Sequence, residues 1–338
     1  NNEADQGDSA AQEKYSRVMM AYTAACSETS FFTPELLAIP DEKINSWIEH
    51  PEFKDYKIYI QKALHAKPHI LSEKEERIMA LQSESGQTAS NVFSLLNDVD
   101  MNFGTVEVEG KQLPLTHSTW SDFEENQDRK IRKEAYEKFY GAFESHANTL
   151  AALYSGSVKN DIFHARARGY NSSLEAALYG DKVPVSVYKN LIETVHKNLD
   201  TLHRYYKIRK KVLGVEELRH YDVYVPLVKS IKSKISYDES VEIVRNALAV
   251  LGSEYTDTLC GGLKGGWVDR FENKGKNSGA FSSGCYEGYP YILLNYKDTS
   301  LRDVYTMAHE GGHSMHSWYS VRNNPFMSYE YTVFDAEV

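Results

Sequence analysis

Apolar residues recur every three or four positions along most of the chain, a spacing typical of helices that bury one face. The clearest stripe consists of Ile131, Ala135, Phe139 and Ala142. The pattern predicts a mainly helical protein. Helices are predicted over about 10–27, from about 73 onward, over about 126–168, 173–178, 185–213 and 237–251, and from Ser300 onward.

The residue types at several helix ends agree with this periodicity. Ser72 is followed by Glu75, the spacing of a capping box, in which two side chains bond each other's backbone N–H groups. Pro184 precedes the segment 185–213 and Gly214 follows it, and these residue types are favoured at the start and the end of a helix. Two of the predicted helices are therefore bounded by local signals.

Two segments show features of β-structure instead. Residues 106–113 alternate around Gly110 and predict a hairpin. Residues 279–296 are rich in aromatic and β-branched side chains, and Glu287-Gly288 in their middle predicts two strands joined by a turn. The glycine-rich run 261–266 lacks the Gly-Lys-Ser/Thr ending of a phosphate loop, so we interpret it as a flexible turn.

Together these elements predict a mainly α fold with a small β-sheet. A length of 338 residues allows one large or two ordinary domains. We expect an N-terminal helical region with a small hairpin over residues 1–120. A second helical region, over 121–338, would contain the candidate chemistry.

The composition narrows the functional classes. With 38 basic and 48 acidic residues the net charge is −10, which disfavours binding to nucleic acid. Cys26, Cys260 and Cys285 are far apart and form no CxxC pair, as expected in a reducing compartment. The sequence shows no charged-then-apolar leader and no apolar run near the roughly 18 residues that span a bilayer. We therefore expect a cytoplasmic protein that does not associate with membranes.

The segment His309-Glu310-Gly311-Gly312-His313 contains the candidate chemistry. On a helix, side chains four positions apart lie on one face, so both imidazoles can reach one metal ion. Glu310 lies beside the pair, where it can act as general base on a metal-bound water, as in zinc metallopeptidases. The segment predicts Zn²⁺ bound by His309 and His313.

The neighbouring residues predict the helix that this motif requires. Ser300 and Asp303 have the spacing of a capping box, and Asn323-Asn324-Pro325 ends the helix. Gly311 and Gly312 each weaken a helix by about 1 kcal/mol relative to Ala. They would allow either the close approach of a substrate or backbone, or tight packing of helices.

A third ligand is expected from outside this helix. His316 shares the face of the pair, but the rise from residue 309 to 316 is about 10 Å, too long for one tetrahedral ion. We interpret His316 as a packing residue or as a residue that orients the ligands. Residues 332–335 predict a helix N-cap with Glu337 in its first turn. Spacing alone explains Glu337 equally well as the third zinc ligand or as an acid favoured at a helix N-terminus.

Two segments, His309–His316 and Phe334–Val338, follow the pattern His-Glu-x-Gly-His-x-x-His with a glutamate about 24 residues later. With three upstream segments, Gly169–Ala176, Tyr221–Leu227 and Ser278–Gly284, they resemble the oligoendopeptidase F group of thimet-type zinc oligopeptidases. The resemblance covers at least residues 160–338.

The resemblance implies a fold, a metal centre and a substrate class. The fold would be a multi-helix oligopeptidase-type channel with a small β-sheet at its wall, which admits short unstructured peptides. One zinc ion per chain would be bound by His309, His313 and Glu337, with Glu310 as the base in endopeptidase cleavage. Residues 281–286 resemble the strand beside the peptide, so the substrate-binding candidates are Ser283, Gly284, Cys285 and Tyr286.

Cys285 has a second interpretation within this segment. A thiolate beside the site could bind metal or react, but no histidine stands next to it at a suitable spacing. We expect a buried strand cysteine.

Family members are longer, and this sequence ends one residue after Glu337. The resemblance therefore implies a fragment that lacks the C-terminal part, where the family keeps its oxyanion-stabilising residues. Two alternatives to a peptidase remain open at this point. One is a zinc hydrolase acting on a non-peptide substrate, and the other is a non-catalytic zinc-binding helical scaffold.

Overall fold

The structure, a computed structural model, describes residues 2–228, 234–332 and 336–337. It confirms a mainly helical fold with a small β-sheet. The α-helices are α1 (Ser9–Thr29), α2 (Phe32–Ala38), α3 (Asp41–Ile48), α4 (Lys57–Ala66), α5 (Glu73–Gly86), α6 (Thr88–Leu95), α7 (His117–Glu124), α8 (Arg129–Ser145), α9 (Ala147–Ala167), α10 (Ser173–Tyr179), α11 (Val185–Leu213), α12 (Tyr237–Ala247), α13 (Ser253–Lys264) and α14 (Leu301–Asn323).

Five short strands and several single helical turns complete the chain. Four of the strands lie in the two segments for which β-structure is predicted. The strands are β1 (Thr105–Val108), β2 (Lys111–Pro114), β3 (Val268–Asp269), β4 (Phe281–Ser283) and β5 (Tyr291–Leu293), and the 3₁₀ turns are Pro51–Tyr56, Lys67–His69, His220–Asp222, Ala249–Leu251 and Phe326–Ser328, with a π turn at Leu96–Asp100.

The chain divides into two compact units. One takes its described residues from 1–88, 163–171 and 233–338, and the other from 89–162 and 172–232. Neither unit is one continuous stretch of chain. The boundary expected after residue 120 stays a prediction.

The first unit begins with helices whose ends follow local signals. The Asp8 carboxylate accepts the N–H of Ala10 at 2.9 Å and caps α1, which packs against α5. The predicted capping box of α5 is present, since the Glu75 carboxylate accepts the N–H of Ser72 at 3.0 Å. The predicted helices near 10–27 and after 72 are therefore confirmed.

The second unit contains the predicted hairpin. β1 and β2 are antiparallel and are joined at Glu109 and Gly110, which both have positive φ, the conformation of a tight two-residue turn. Val106 of β1 is fully buried in an aromatic cluster with Phe103 and Phe139. The helix predicted over 185–213 is α11, and Gly214 ends it in a left-handed conformation, φ 65°.

Residues 126–168 form two helices where the periodicity predicts one helical segment. α8 and α9 are divided at His146, whose ring Nδ1 lies 2.9 Å from the carbonyl oxygen of Ala142. A side chain that bonds to a nearby carbonyl competes with the hydrogen bonds of a continuing helix. The apolar stripe from Ile131 to Ala142 lies wholly within α8, so it carries no signal of the break at His146.

The core of the first unit lies around α12, α13 and α14. It contains Val241 of α12, Leu259 and Leu263 of α13, and Met307 and Met315 of α14, all of them buried. A three-stranded sheet packs against α14, with the strand order β3-β5-β4. β5 pairs in parallel with β3 and antiparallel with β4.

The interpretation of residues 261–266 as a flexible turn is wrong. The run lies mostly within α13, which ends at Lys264. A Cβ atom on Gly262 would lie 2.2 Å from the indole ring of Trp267, so glycine is required where the ring crosses the helix. The glycine permits close packing instead of flexibility.

Among the described residues, no helix combines the length and the apolar character that crossing a bilayer requires.

Candidate metal centre

Helix α14 begins where the sequence predicts, but its start is stabilised differently. The Ser300 hydroxyl donates to the Asp303 carboxylate at 2.8 Å, and the same carboxylate accepts the N–H of Lys297 at 2.7 Å. The predicted reciprocal bond from the Asp303 N–H to the Ser300 side chain is replaced by a bond to the Ser300 carbonyl, at 3.2 Å. The helix ends at Asn323, as predicted.

Three side chains converge beside α14. His309 Nε2 and His313 Nε2 are 3.1 Å apart, and their rings are nearly perpendicular, at 84°. Glu337 reaches the pair from outside the helix, with carboxylate oxygens 3.6 Å from His309 Nε2 and 3.4 Å from His313 Nε2. In the described part of the chain, this is the one group of three such side chains able to hold a metal ion.

The separations within this group can be compared with the geometry of zinc. Four ligands at about 2.05 Å from a tetrahedral Zn²⁺ are about 3.3 Å from one another. The two histidine nitrogens, 3.1 Å apart, lie within 0.3 Å of that value. Each nitrogen has a different oxygen of the Glu337 carboxylate at a similar distance, Oε1 at 3.4 Å from His313 and Oε2 at 3.6 Å from His309. Two imidazoles and one carboxylate are also the donor set of catalytic zinc sites, which leave a fourth position open. The side chains therefore fit a zinc ion.

Glu310 lies next to this group but contributes no ligand atom to it. Its side chain points into the protein, and the residue is only 7% exposed. Burial, and to a smaller extent the charge of Glu337, raise the pKa of its carboxyl group. His309, His313 and a hydrogen bond from the Ser282 N–H lower this pKa, but the net shift is upward. A carboxyl group with a raised pKa is suited to accept and return a proton near neutral pH.

Strand β4 lies directly against the helix beside Glu310. The hydroxyls of Ser282 and Ser314 are hydrogen-bonded at 2.7 Å, and Ser314 is fully buried one turn after Glu310. At the end of the strand, a Cβ atom on Gly284 would lie 2.7 Å from Cβ of Ser317. β4 and α14 are therefore in contact over two turns of the helix, and the strand holds the backbone donor that faces Glu310.

The substrate-binding candidates occupy the end of β4 and the loop after it. Ser283, Gly284 and Cys285 are exposed, and Tyr286 is half-buried with its ring against Phe326 and Tyr329. The expectation of a buried strand cysteine is wrong for Cys285. The strand ends at Ser283, so the thiol lies in the following turn, where it donates to the carbonyl of Glu287 at 2.8 Å.

His316 is placed outside the group of three. Its ring is stacked on the Tyr331 ring, with 3.6 Å between centroids and 9° between planes. The Tyr331 hydroxyl lies 3.1 Å from the Ser317 hydroxyl and donates to the carbonyl of His313 at 3.4 Å. The predicted N-cap at 332–335 falls partly on residues 333–335, which lie outside the described residues.

Sequence reasoning did not identify Ser282, Ser314 or Tyr331. Ser314 has a weak signal, because it lies four positions after Glu310 on the same helix face. Ser282 and Tyr331 have none, because their contacts depend on how β4 and the segment after α14 pack against the helix.

Two family models match the chain. Residues 123–338 match the model described as peptidase family M3, and residues 35–103 match the model described as oligopeptidase F. The first match contains the three candidate ligands, His309, His313 and Glu337, and the neighbouring Glu310.

Curated relatives and solved structures agree with these matches. An oligoendopeptidase F homolog from Borreliella burgdorferi is 48% identical over 96% of this chain, and oligopeptidase PepF from Bacillus subtilis is 41% identical over 100% of it. The crystal structure of oligoendopeptidase-F from Enterococcus faecium superposes with a TM-score of 0.68 at 28% identity, over 95% of this chain and 53% of that one. The chain spans about half the length of these relatives, 54% and 50%.

Proposed function

The chain belongs to peptidase family M3, and we propose that its protein is a zinc-dependent endopeptidase that hydrolyses short, unstructured peptides. The zinc ligands in this proposal are His309, His313 and Glu337, and the general base is Glu310. The observation that supports it most is the convergence of the three side chains, with the histidine nitrogens 3.1 Å apart and a Glu337 carboxylate oxygen within 3.6 Å of each. A buried carboxyl group beside those donors supplies the second requirement of the reaction.

The residues of the chain have separate tasks in this mechanism. A zinc ion held by the three ligands would supply a Lewis acid that polarises the scissile carbonyl and makes water more acidic. Glu310 takes a proton from the attacking water and passes it to the nitrogen of the leaving amine. Ser282 holds the Glu310 carboxylate through its backbone N–H, so the base is oriented before substrate arrives.

The substrate class rests on the relatives and on the position of β4. The relatives are named as oligopeptidases and oligoendopeptidases. β4 is the outer strand of the sheet order β3-β5-β4, and an outer strand can pair with an extended peptide. Ser283 to Tyr286 would then run beside the substrate backbone.

A cytoplasmic location is part of the proposal. Cys26, Cys260 and Cys285 are all unpaired, as is usual for proteins of a reducing compartment.

The substitution Glu310→Gln tests the mechanism. It removes the base but none of the ligands, so we expect the variant to bind zinc as the wild type does. Its kcat on a fluorogenic oligopeptide should fall by at least about 100-fold, because general-base catalysis contributes about 10²–10⁴. The assay uses the full-length protein of which this chain is a part, and metal content is measured on the same samples.

Glu254→Gln is the matched control, because Glu254 is an exposed carboxylate on α13. It should leave both kcat and metal content unchanged. Normal turnover by Glu310→Gln would contradict the role of Glu310. Hydrolysis of simple esters without hydrolysis of peptides, or peptide binding without turnover in the wild type, would contradict the peptidase proposal itself.

A further inference from the structure

The segment that follows α14 turns back and runs along the same helix. The Ser320 hydroxyl donates to the carbonyl of Tyr329, and the Ser317 hydroxyl bonds to that of Tyr331. Glu337 then meets His313, one turn further towards the start of the helix. Later residues of the segment therefore contact residues closer to the start of α14. Together these contacts fix which residue of the segment lies beside which residue of the helix.

Tyr331 contacts α14 six residues before Glu337. It makes three contacts with the helix: its ring stacks on His316, and its hydroxyl bonds to the Ser317 hydroxyl and to the carbonyl of His313. That carbonyl belongs to one of the two histidine ligands. Tyr331 therefore touches the helix within the turn that begins at His313, one of the three proposed ligands.

A short connection joins Tyr331 to the third ligand. The carbonyl of Thr332, the next residue, accepts the N–H of Ala336 at 3.1 Å. Glu337 follows directly on Ala336. A displacement of Tyr331 from α14 would consequently move Thr332, whose carbonyl holds the residue directly before Glu337.

We propose that Tyr331 is a positioning residue that holds Glu337 in register with His309 and His313. This inference rests on the proposed metal centre and adds to it a residue that binds no metal itself. The Tyr331 hydroxyl is the group that this role requires, because it bonds to the Ser317 hydroxyl and to the backbone carbonyl of His313. The ring supplies the stack on His316, which phenylalanine would keep.

Tyr329 offers a matched comparison two residues earlier in the same segment. Its ring packs against Tyr286 and Phe326, and no hydrogen bond to its hydroxyl is found within the described residues. Removal of this hydroxyl leaves the contacts of Tyr331 intact. Tyr329→Phe therefore controls for the loss of a tyrosine hydroxyl from the segment.

The test measures the Kd for Zn²⁺ by competition with a chromophoric chelator, on wild type, Tyr331→Phe, Ser317→Ala, the double variant and Tyr329→Phe. Residues that orient metal ligands typically contribute 10–100-fold to affinity. We expect Tyr331→Phe to raise the Kd about 10-fold and Ser317→Ala to raise it in the same direction. Because the two hydroxyls bond to each other, their effects overlap. The Kd of the double variant should therefore rise by less than the product of the two single fold-changes in Kd.

Thermal unfolding of the metal-free proteins shows whether each variant is folded, and Ser317→Ala serves as the test if Tyr331→Phe is not. A Kd for Tyr331→Phe or Ser317→Ala within twofold of the wild type would overturn the inference while leaving the metal centre in place. An equal loss in Tyr329→Phe would also overturn it. Absence of zinc binding in the wild type would overturn the proposed function as well.

Discussion

Glu124 and Glu310 are both buried carboxyl groups, and burial raises the pKa of each, but their surroundings differ. Glu310 has a backbone donor and two histidines beside it. Both oxygens of Glu124, in α7, lack a hydrogen-bond partner among the described residues. Burial raises the pKa of Glu124 to about 7. The negative charge of Asp222 adds to this rise, and the positive charge of Arg132 opposes it.

This difference predicts a pH dependence of stability that belongs to Glu124. The folded state holds the proton more tightly than the unfolded chain, whose carboxyl has a pKa of 4.5. The stabilising contribution is therefore complete below about pH 4.5 and is lost as the pH rises through about 7. Glu124→Gln keeps a neutral side chain at every pH. Between pH 5 and 8 its free energy of unfolding should therefore fall by about 2 kcal/mol less than that of the wild type.

Urea unfolding of wild type and Glu124→Gln at pH 5, 6, 7 and 8 measures this difference. Glu144→Gln, at an exposed position of α8, is the control and should follow the wild-type pH profile. Parallel profiles for wild type and Glu124→Gln would show that Glu124 ionises normally in the folded protein.

At the residue scale, the sequence predicts the local part of the candidate site but not its tertiary part. The spacing of His309 and His313 fixes their common helix face without further information. Glu337 is different, because spacing alone leaves it equally well explained as a ligand or as a helix N-terminal acid. The structure places it 3.4 Å from His313, a distance that depends on the return of the chain after α14.

At the element scale, Gly311 and Gly312 have different surroundings. The sequence allows two explanations for these glycines, the close approach of a substrate or backbone and the tight packing of helices. A Cβ atom on Gly311 would lie 2.9 Å from Cδ1 of Leu259, a fully buried residue of α13. Around Gly312, no atom lies within 4 Å of the same position. Gly311 is therefore required by the packing of α13 on α14, whereas Gly312 leaves open space on the side of the helix that bears the histidines.

This contrast gives opposite expectations for two alanine substitutions. Gly311→Ala should destabilise the protein by roughly 1–3 kcal/mol, because the new methyl group overpacks a core that cannot move freely. Gly312→Ala should stabilise it by up to about 1 kcal/mol, because alanine favours the helix and meets no neighbour. The free energy of unfolding in urea measures both, and each variant serves as the control for the other. Equal effects of the two substitutions would contradict the assigned packing.

The elements themselves were predictable where the signals are local. Ser72 with Glu75 and Gly214 mark helix ends correctly, because caps depend on neighbouring residues. Gly262 was misread, because the ring of Trp267 that requires it comes from the chain beyond the helix. β3 was missed, since a strand of two residues, Val268–Asp269, is too short to show alternation.

At the scale of the whole molecule, family membership and the metal centre are supported by different observations. Membership rests on a match over residues 123–338 and on two relatives that are 48% and 41% identical. The candidate metal centre rests on three side chains that converge from two parts of the chain. The chain spans about half the length of these relatives, so the activity of the whole protein is a proposal.

The central claim is that His309, His313 and Glu337 together hold one zinc ion. The most direct test is elemental analysis, after dialysis, of the full-length protein of which this chain is a part, on wild type, Glu310→Gln and Glu337→Gln. We expect about one zinc per chain in the wild type and in Glu310→Gln, and far less in Glu337→Gln, because only the last substitution removes a ligand. Zinc retained by Glu337→Gln at the wild-type level, or absent from the wild type, would contradict the account.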